Sequence, residues 1–298
     1  MQEKDGYIPV VNGHRVWYRI VGGGGPHEAI PLLILHGGPG CPHDYLENLS
    51  ELASDNRRVV FYDQLGCGNS DLPDDTSLWT VERFTDEIEI VREALGLAQV
   101  HILGQSCGGM LAIEYGIRQP QGLASLILAD SMPSMVLWVA EANRLRAELP
   151  PEVNQTLLYH EQAGTTSSPE YSAATEVFNQ RHVCRLSPLP EFVQRANAKT
   201  GFIYNYMNGP SEFHVTGVIK DWDRTARLGD INVPTLIISG TYDESTPLLN
   251  QILHKGITNS QWVLFEHSSH LPHVEEPEKY MQTVATFLAQ VEESENAG

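Results

Sequence analysis

One short segment constrains the fold of this chain more than any other feature. The apolar run Val100–Leu103 is followed by Gly104-Gln-Ser-Cys-Gly108, and a helical pattern continues over Met110–Gln119. In a sharp turn from a buried strand into a helix, the backbone passes too close for side chains, so both flanking positions need glycine. The turn presents its central residue at the carboxyl end of the strand, above the N-terminus of the helix. The segment therefore predicts a strand–turn–helix unit with Ser106 as a candidate nucleophile.

The rest of the chain alternates between strand-like and helical segments. Thr80 caps an apolar helical stripe that stops at Gly96, and Pro277 begins a second stripe. Most of the strand-like runs are almost wholly apolar, which is typical of parallel strands covered on both faces by helices. The predicted strands are Arg15–Val21, Ile30–Leu35, Arg58–Tyr62, Val100–Leu103, Ser125–Ala129, Thr235–Ser239 and Trp262–Phe265. This alternation predicts an α/β fold.

One long stretch interrupts the alternation. The segment Met135–Leu149 is helical in pattern, and Ser168-Pro169 has the cap and the first-turn proline of a helix start. No good strand candidate lies between residues 132 and 222. We therefore predict a helical insertion over residues 132–222, between two core segments at residues 1–131 and 223–298.

The composition disfavours several classes of partner. The 298 residues include 38 acidic against 19 Lys and Arg side chains, for a formal net charge of −19. Such a surface repels phosphate backbones and anionic lipids, so we expect neither nucleic acid nor a membrane as a partner. No apolar run approaches the roughly 20 residues that a spanning helix needs, and no secretory signal is evident. Four scattered cysteines favour free thiols and a reducing, cytoplasmic compartment.

A serine hydroxyl needs a base and an orienting acid before it can act as a nucleophile. In a strand–turn–helix unit of this kind, the acid follows the serine along the chain and the histidine comes last. Asp243 lies just past the predicted strand Thr235–Ser239. It is the candidate acid for Ser106.

Three histidines follow the next predicted strand, Trp262–Phe265. They are His267, His270 and His273. The order serine, aspartate, His270 fits the expected arrangement, whereas the pattern alone leaves His273 open. We expect no metal here, because the histidines lie in a loop and no second group of ligands is evident.

Two further strand ends carry motifs. His36-Gly-Gly-Pro-Gly40 follows Ile30–Leu35 and suits an oxyanion hole, where glycines let a substrate carbonyl approach backbone N–H groups. The expected donors are the N–H groups of Gly38 and Cys107. Asp63 follows another strand, and we interpret it as a brace for its loop, since one acid is already placed.

Four of these motifs together resemble the proline iminopeptidase family of α/β-hydrolases, which includes prolyl aminopeptidases and amino-acid amidases. The motifs are His36-Gly-Gly-Pro-Gly40, Asp63-Gln-Leu-Gly-Cys-Gly-Asn-Ser70, Gly104-Gln-Ser-Cys-Gly-Gly109 and Ser269-His-Leu-Pro272. The resemblance extends from about Asn12 to Leu288. It implies the α/β-hydrolase fold, with an eight-stranded, mostly parallel sheet and a helical cap, and it makes His270 the base.

The resemblance also implies how a substrate is held. Members of this family bind the free α-ammonium group with acidic residues, and Glu212 and Glu244 stand at matching positions. The residue after the nucleophile is usually a bulky aromatic, most often Trp, whereas this chain has Cys107. The implied reaction releases one N-terminal residue from a small peptide, or hydrolyses an amino-acid amide, through an acyl-enzyme on Ser106. It requires no metal or organic cofactor, and the small Cys107 implies a broader range than proline.

Three competing functions rest on fewer residues. A carboxylesterase or lactonase of the same fold would need no ammonium site. A non-enzymatic binding protein is disfavoured by the complete set of Ser106, Asp243 and His270. Dinucleotide binding would depend on the tetraglycine Gly22–Gly25, which we interpret as a flexible hairpin loop because no helix follows it.

Overall fold

The computed structural model describes residues 2–296, and its centre is a single sheet of eight strands. The strands are β1 Glu3–Val11, β2 His14–Val21, β3 Leu32–Leu35, β4 Val59–Tyr62, β5 Val100–Gln105, β6 Leu123–Ala129, β7 Thr235–Gly240 and β8 Ser260–Phe265. Their order across the sheet is β1-β2-β4-β3-β5-β6-β7-β8. Strands β3 to β8 are parallel, while β2 is antiparallel to both β1 and β4. The predicted mostly parallel sheet is confirmed.

Helices connect the strands and cover the sheet. They are α1 Val81–Ala94, α2 Cys107–Ile117, α3 Met135–Ala147, α4 Pro151–Ala163, α5 Pro169–His182, α6 Glu191–Lys199, α7 Phe202–Met207, α8 Pro247–Gly256, α9 Pro272–Glu275 and α10 Pro277–Asn296. Short 3₁₀ segments lie at His43–Leu52, Thr76–Leu78 and Thr225–Asp230. The predicted caps of α1 and α5 are confirmed, because Thr80 accepts from the N–H of Arg83 and Ser168 from that of Tyr171. Among residues 2–296, no helix combines the length and apolarity needed to cross a membrane.

The parallel strands are apolar throughout because both faces of the sheet are buried. On β3, Leu33 and Leu35 pack into the cluster that contains α1 and α2. Their neighbours Leu32 and Ile34 point the other way, into the cluster that contains α10. Successive side chains of a strand face opposite sides, so a strand between two helical layers shows no polar alternation.

Helices α3 to α7 lie between β6 and β7 in the chain, and the described residues 135–222 contain no strand. Ion pairs attach this helical insertion to the core. Arg195 on α6 donates to Asp44 at 2.6 Å, and Lys199 donates to the same carboxylate at 2.8 Å. The division of the chain at residues 132 and 222 stays a prediction, and residues 1, 297 and 298 lie outside the described part of the chain.

Two features differ from the predictions. Strand β1 was not predicted, and it pairs with β2 at the edge of the sheet. The hairpin interpretation of Gly22–Gly25 is wrong, because β4 lies between β2 and β3. The tetraglycine instead runs along a neighbouring loop, where Gly23 donates to the carbonyl of Ser54 at 2.9 Å and Gly25 to that of Asp55 at 2.7 Å.

Candidate active site

Ser106 lies in the tight turn between β5 and α2. Its backbone has φ +54° and ψ −122°, a conformation that a non-glycine residue adopts only under strain. A Cβ atom at Gly104 would overlap the carbonyl of Gly108, and one at Gly108 would overlap the carbonyl of Leu35. The N–H of Ser106 donates to the carbonyl of Ala129 on β6 at 2.9 Å. The glycines thus allow the close packing that holds the serine at the carboxyl edge of the sheet.

Asp243 and His270 meet at the ends of β7 and β8. The distance between His270 Nδ1 and Asp243 Oδ1 is 2.7 Å, and both residues are buried. Asp243 Oδ1 also accepts the N–H of Ser245 at 2.7 Å. A carboxylate in this position fixes the histidine tautomer and stabilises the imidazolium form.

The loop that carries His270 is held on two sides. Glu275 accepts hydrogen bonds from the N–H of Ser269 at 2.6 Å and from its hydroxyl at 2.8 Å. Gln105, the residue before the candidate nucleophile, donates its amide N–H to the carbonyl of His270 at 3.1 Å. The imidazole is therefore held in position by neighbours that the sequence analysis did not single out.

The other two histidines of this loop have different surroundings. His273 is buried with its Nε2 atom 3.0 Å from the carbonyl oxygen of Tyr45, and burial lowers its pKa to about 4. His267 is exposed. Of the three, His270 pairs with Asp243. Within residues 2–296, no cluster of three or more His, Cys, Asp or Glu side chains is arranged to hold a metal ion.

A cavity of about 450 Å³ lies above Ser106, between the sheet and the helical insertion. Five of the seven predicted site residues line the cavity, namely Gly38, Ser106, Glu212, Glu244 and His270. The two exceptions are Asp243 and Cys107. Asp243 is buried behind the cavity wall, where it contacts His270, which lines the cavity. The side chain of Cys107 packs into the hydrophobic core, while its backbone forms the first residue of α2.

A chain of hydrogen bonds crosses from the glycine-rich loop to the nucleophile turn. Gly37 donates its N–H to the hydroxyl of Tyr45 at 2.7 Å, and that hydroxyl donates to Gln105 Oε1 at 2.6 Å. The N–H of Gly37 is therefore already used in a hydrogen bond and is not free for a substrate oxygen. Gly38, the next residue of the loop, lines the cavity. Nothing in the sequence pattern pointed to Tyr45, because it lies in a 3₁₀ segment outside every motif.

Two carboxyl groups give the cavity a negative character. Glu244 Oε1 lies 3.7 Å from His270 Nε2, and Glu212 accepts a hydrogen bond from the hydroxyl of Tyr204. Burial raises the pKa of Glu244 well above its usual range, and the charges of Glu212 and Asp243 raise it further. Burial also raises the pKa of Glu212. A cation between the two groups would relieve this mutual repulsion.

Comparison with known proteins places the chain among hydrolases of the same fold. Residues 30–277 match the family described as alpha/beta hydrolase fold. The chain is 40% identical to the proline iminopeptidase of Heyndrickxia coagulans over 286 residues, which cover 95% of this chain and 98% of the relative. It is 43% identical to that of Saccharolobus solfataricus over 263 residues, which cover 87% of this chain and 85% of the relative. The crystal structure of a proline iminopeptidase from Mycobacterium smegmatis matches with a TM-score of 0.90 and 42% identity, covering 98% of this chain and 99% of that one.

Proposed function

The chain belongs to the proline iminopeptidase family of α/β-hydrolases, and we propose that it releases one N-terminal residue from a short peptide or an amino-acid amide through an acyl-enzyme on Ser106. It is a hydrolase, as its relatives are. The observation that carries the proposal is the shared cavity, in which Ser106 and His270 face the carboxyl groups of Glu212 and Glu244. A nucleophile with its base explains acyl transfer, and the two acids explain a requirement for a free amine.

In the proposed mechanism, Ser106, His270 and Asp243 form a catalytic triad. His270 Nε2 takes the proton of the Ser106 hydroxyl as its oxygen attacks the scissile carbonyl carbon. Asp243 holds the imidazole through Nδ1 and stabilises its positive charge. The N–H groups of Gly38 and Cys107 stabilise the oxyanion. The imidazolium then protonates the leaving amine, and a water molecule activated by the same imidazole releases the acid product.

The acidic pair sets the register of the substrate. An ammonium group held by Glu212 and Glu244 leaves only the carbonyl of that same residue within reach of Ser106. Charge pairing is stronger in a buried cavity than in water, and each carboxylate also accepts hydrogen bonds from the ammonium group. Burial raises the pKa of Glu244 and the charge of Glu212 raises it further; a bound cation would relieve that repulsion, which supports this assignment.

Further parts of the proposal rest on single features. Cys107 is small where the family usually has an aromatic residue, so we expect amino-acid amides and residues other than proline to be accepted. Helices α3 to α7 serve as the cap over the cavity. The four cysteines are free thiols, which supports a cytoplasmic location.

The test is kcat/KM on a panel of aminoacyl p-nitroanilides and amides, each with and without an N-acetyl block. We expect activity on free amines and its loss on acetylation, with the panel ranking proline against other residues. Equal or better activity on blocked substrates would instead favour a carboxylesterase or lactonase. The Ser106→Ala variant and labelling of Ser106 by a fluorophosphonate check the nucleophile, and a failure to label would support a non-enzymatic binding protein.

A further inference from the structure

A second buried carboxyl group lies behind Asp243, and the mechanism above does not use it. Asp130 directly follows β6, is 0% exposed, and neither of its side-chain oxygens has a hydrogen-bond partner among residues 2–296. Asp243 Oδ2 is also without a partner in this part of the chain, although Oδ1 accepts from both His270 and Ser245. Buried carboxyl oxygens are expensive to leave unpaired, so the coincidence of two such groups calls for an explanation.

The sheet places these two carboxyl groups side by side. Strands β6 and β7 are parallel neighbours, and the N–H of Asp130 donates to the carbonyl of Ile238 on β7 at 2.8 Å. Asp130 has φ +50°, a left-handed conformation that Asp tolerates better than most residues. Its side chain is within hydrogen-bonding reach of Asp243. When ionised, both carboxyl groups are acceptors only, so a proton held between them would satisfy Asp243 Oδ2.

The hydrogen bonds of the two groups indicate which one holds this proton: Asp243 Oδ1 accepts from His270 and from the N–H of Ser245, which favours its ionised form. Burial raises the pKa of Asp130 well above its usual range, and the charges of Asp243 and of Glu275 on α9 raise it further, while the N–H of Gly240 opposes them. The phenol groups of Tyr45 and Tyr280 also lie close enough for their pKa values to respond to the charge of Asp130. None of these neighbours is a cation. Two adjacent buried carboxyl groups cannot both ionise under such conditions.

We propose that Asp130 is a positioning residue that stays a neutral carboxylic acid and donates its O–H to Asp243 Oδ2. Asp243 then carries the single negative charge of the pair, with Oδ2 satisfied by Asp130 and Oδ1 left for His270 and the Ser245 amide. The proton remains on Asp130 throughout the reaction. The inference rests on the proposed roles of Ser106, Asp243 and His270, and it assigns a second support to the carboxylate that orients the base.

The test compares three substitutions that differ in what they offer to Asp243 Oδ2. Asp130→Asn keeps the shape and supplies a neutral N–H donor, Asp130→Leu keeps the approximate size without a donor, and Asp130→Ala removes both. We expect Asp130→Asn to retain kcat within about threefold. We expect Asp130→Leu and Asp130→Ala to lose roughly tenfold or more in kcat, the equivalent of one hydrogen bond to a charged group. KM should change little, and the pH profile of kcat/KM should shift only in the two variants without a donor.

Two outcomes would overturn the inference. If Asp130→Leu keeps the kcat and the pH profile of the wild type, Asp130 does not position Asp243. If Asp130→Asn loses as much kcat as Asp130→Ala, a neutral donor is insufficient. Infrared difference spectra of wild type against Asp130→Asn give an independent readout, because the wild type should show the carbonyl band of a protonated carboxyl group. Ser106→Ala separates the two proposals, since activity in that variant would refute the proposed function whatever the Asp130 series shows.

Discussion

His43 Nδ1 lies 2.7 Å from Asp63 Oδ1, which is the same separation as between His270 Nδ1 and Asp243 Oδ1. Both pairs are buried near the ends of parallel strands. The carboxylate of Asp63, however, also accepts the backbone N–H groups of His43 and Asn69, each at 2.9 Å. It therefore ties together the loops around it, in agreement with the predicted role as a brace. A short histidine–aspartate distance alone therefore does not identify a catalytic pair. The two pairs differ in that His270 lines the cavity above Ser106.

Replacement of Asp63 should affect stability more than chemistry. Burial opposes its ionisation, but the hydrogen bond and charge of His43 lower the pKa of Asp63 below its usual value. Asp63→Asn removes a charged acceptor of several hydrogen bonds and should lower the free energy of unfolding by roughly 2 kcal/mol, a fall in Tm of about 5 °C. Calorimetry measures the fall. A loss of kcat beyond about tenfold without a change in Tm would contradict the bracing role.

The same substitution at Asp243 should have the opposite profile. Asp243→Asn preserves the shape of the side chain but favours the wrong tautomer of His270. By analogy with serine proteases, kcat should fall by about 10⁴. Tm should change far less than in Asp63→Asn, so the two variants serve as controls for each other. Steady-state kinetics and thermal melts on both proteins make the comparison. Full activity of Asp243→Asn would remove Asp243 from the proposed triad.

Neutralising either acid of the cavity should lower the activity on substrates that carry a free amino group. Glu212→Gln and Glu244→Gln each keep the size of the side chain and remove one of the two charges that face the substrate ammonium. We expect kcat/KM on free-amine substrates to fall by about 10², since pairing with a buried charge contributes roughly 3 kcal/mol. Any residual rate on N-acetyl substrates should be unchanged. Glu51→Gln, at an exposed acid, is the matched control, and an equal loss there would exclude a specific role.

The four thiols should resist alkylation in the folded protein. Burial raises the pKa of Cys41 to about 12 and that of Cys184 to about 11. Burial also raises the pKa of Cys67 and Cys107 well above the usual value. Since the thiolate is the reactive form, iodoacetamide at pH 8 should leave activity intact, whereas a fluorophosphonate should abolish it. Mass spectrometry of the folded and urea-unfolded protein counts the modified cysteines, and rapid labelling of Cys107 in the folded state would contradict its burial.

An ion pair on α10 should contribute to stability near neutral pH and less in acid. Glu292 accepts from both terminal nitrogens of Arg57, each at 2.9 Å. Although burial opposes ionisation, hydrogen bonds from His101 and Arg57 lower the pKa of Glu292 to about 2. A depressed folded-state pKa stabilises the protein above the unfolded value of about 4.5, and this contribution disappears as the pH falls toward 2.

The Glu292→Gln variant tests this dependence. Because the pair is partly exposed, we expect a loss of roughly 1 kcal/mol in the free energy of unfolding at pH 7. The difference from the wild type should shrink on acidification. Urea unfolding of both proteins at pH 7 and at pH 3 measures it, and a difference that grows toward pH 3 would contradict the assignment.

The parallel strands were predictable because helices bury both of their faces, so their composition alone distinguishes them. Strand β1 was not predictable from its sequence. Its exposed start, Glu3-Lys-Asp5, is charged, and both Gly6 and Pro9 are poor strand formers. It forms because β2 offers a free edge. The hairpin predicted at Gly22–Gly25 was wrong for a similar reason. Whether β2 and β3 pair depends on residues distant in the sequence, here those of β4, which lies between them.

Some residues of the candidate site were likewise predictable from the sequence, and others were not. Ser106, Asp243 and His270 stand close to the ends of recognisable strands, and their order along the chain was informative. Glu212 and Glu244 came from the family resemblance, because no local pattern separates them from the other acids among the 38 in the chain. The sequence analysis did not identify three supporting residues, namely Tyr45, Gln105 and Asp130. Their contacts depend on which strand ends are neighbours, and that order is a property of the assembled sheet.

The cover over Ser106 has a consequence for the other proteins around this hydrolase. Ser106 is only 8% exposed, and helices of the insertion line the space above it. A folded polypeptide cannot bring an internal peptide bond into a cavity of about 450 Å³, since one small chain end fills a space of this size. The size of the cavity alone thus protects native proteins from cleavage of their internal peptide bonds. A hydrolase with such a covered site needs neither an inhibitor nor an inactive precursor to spare the folded proteins around it.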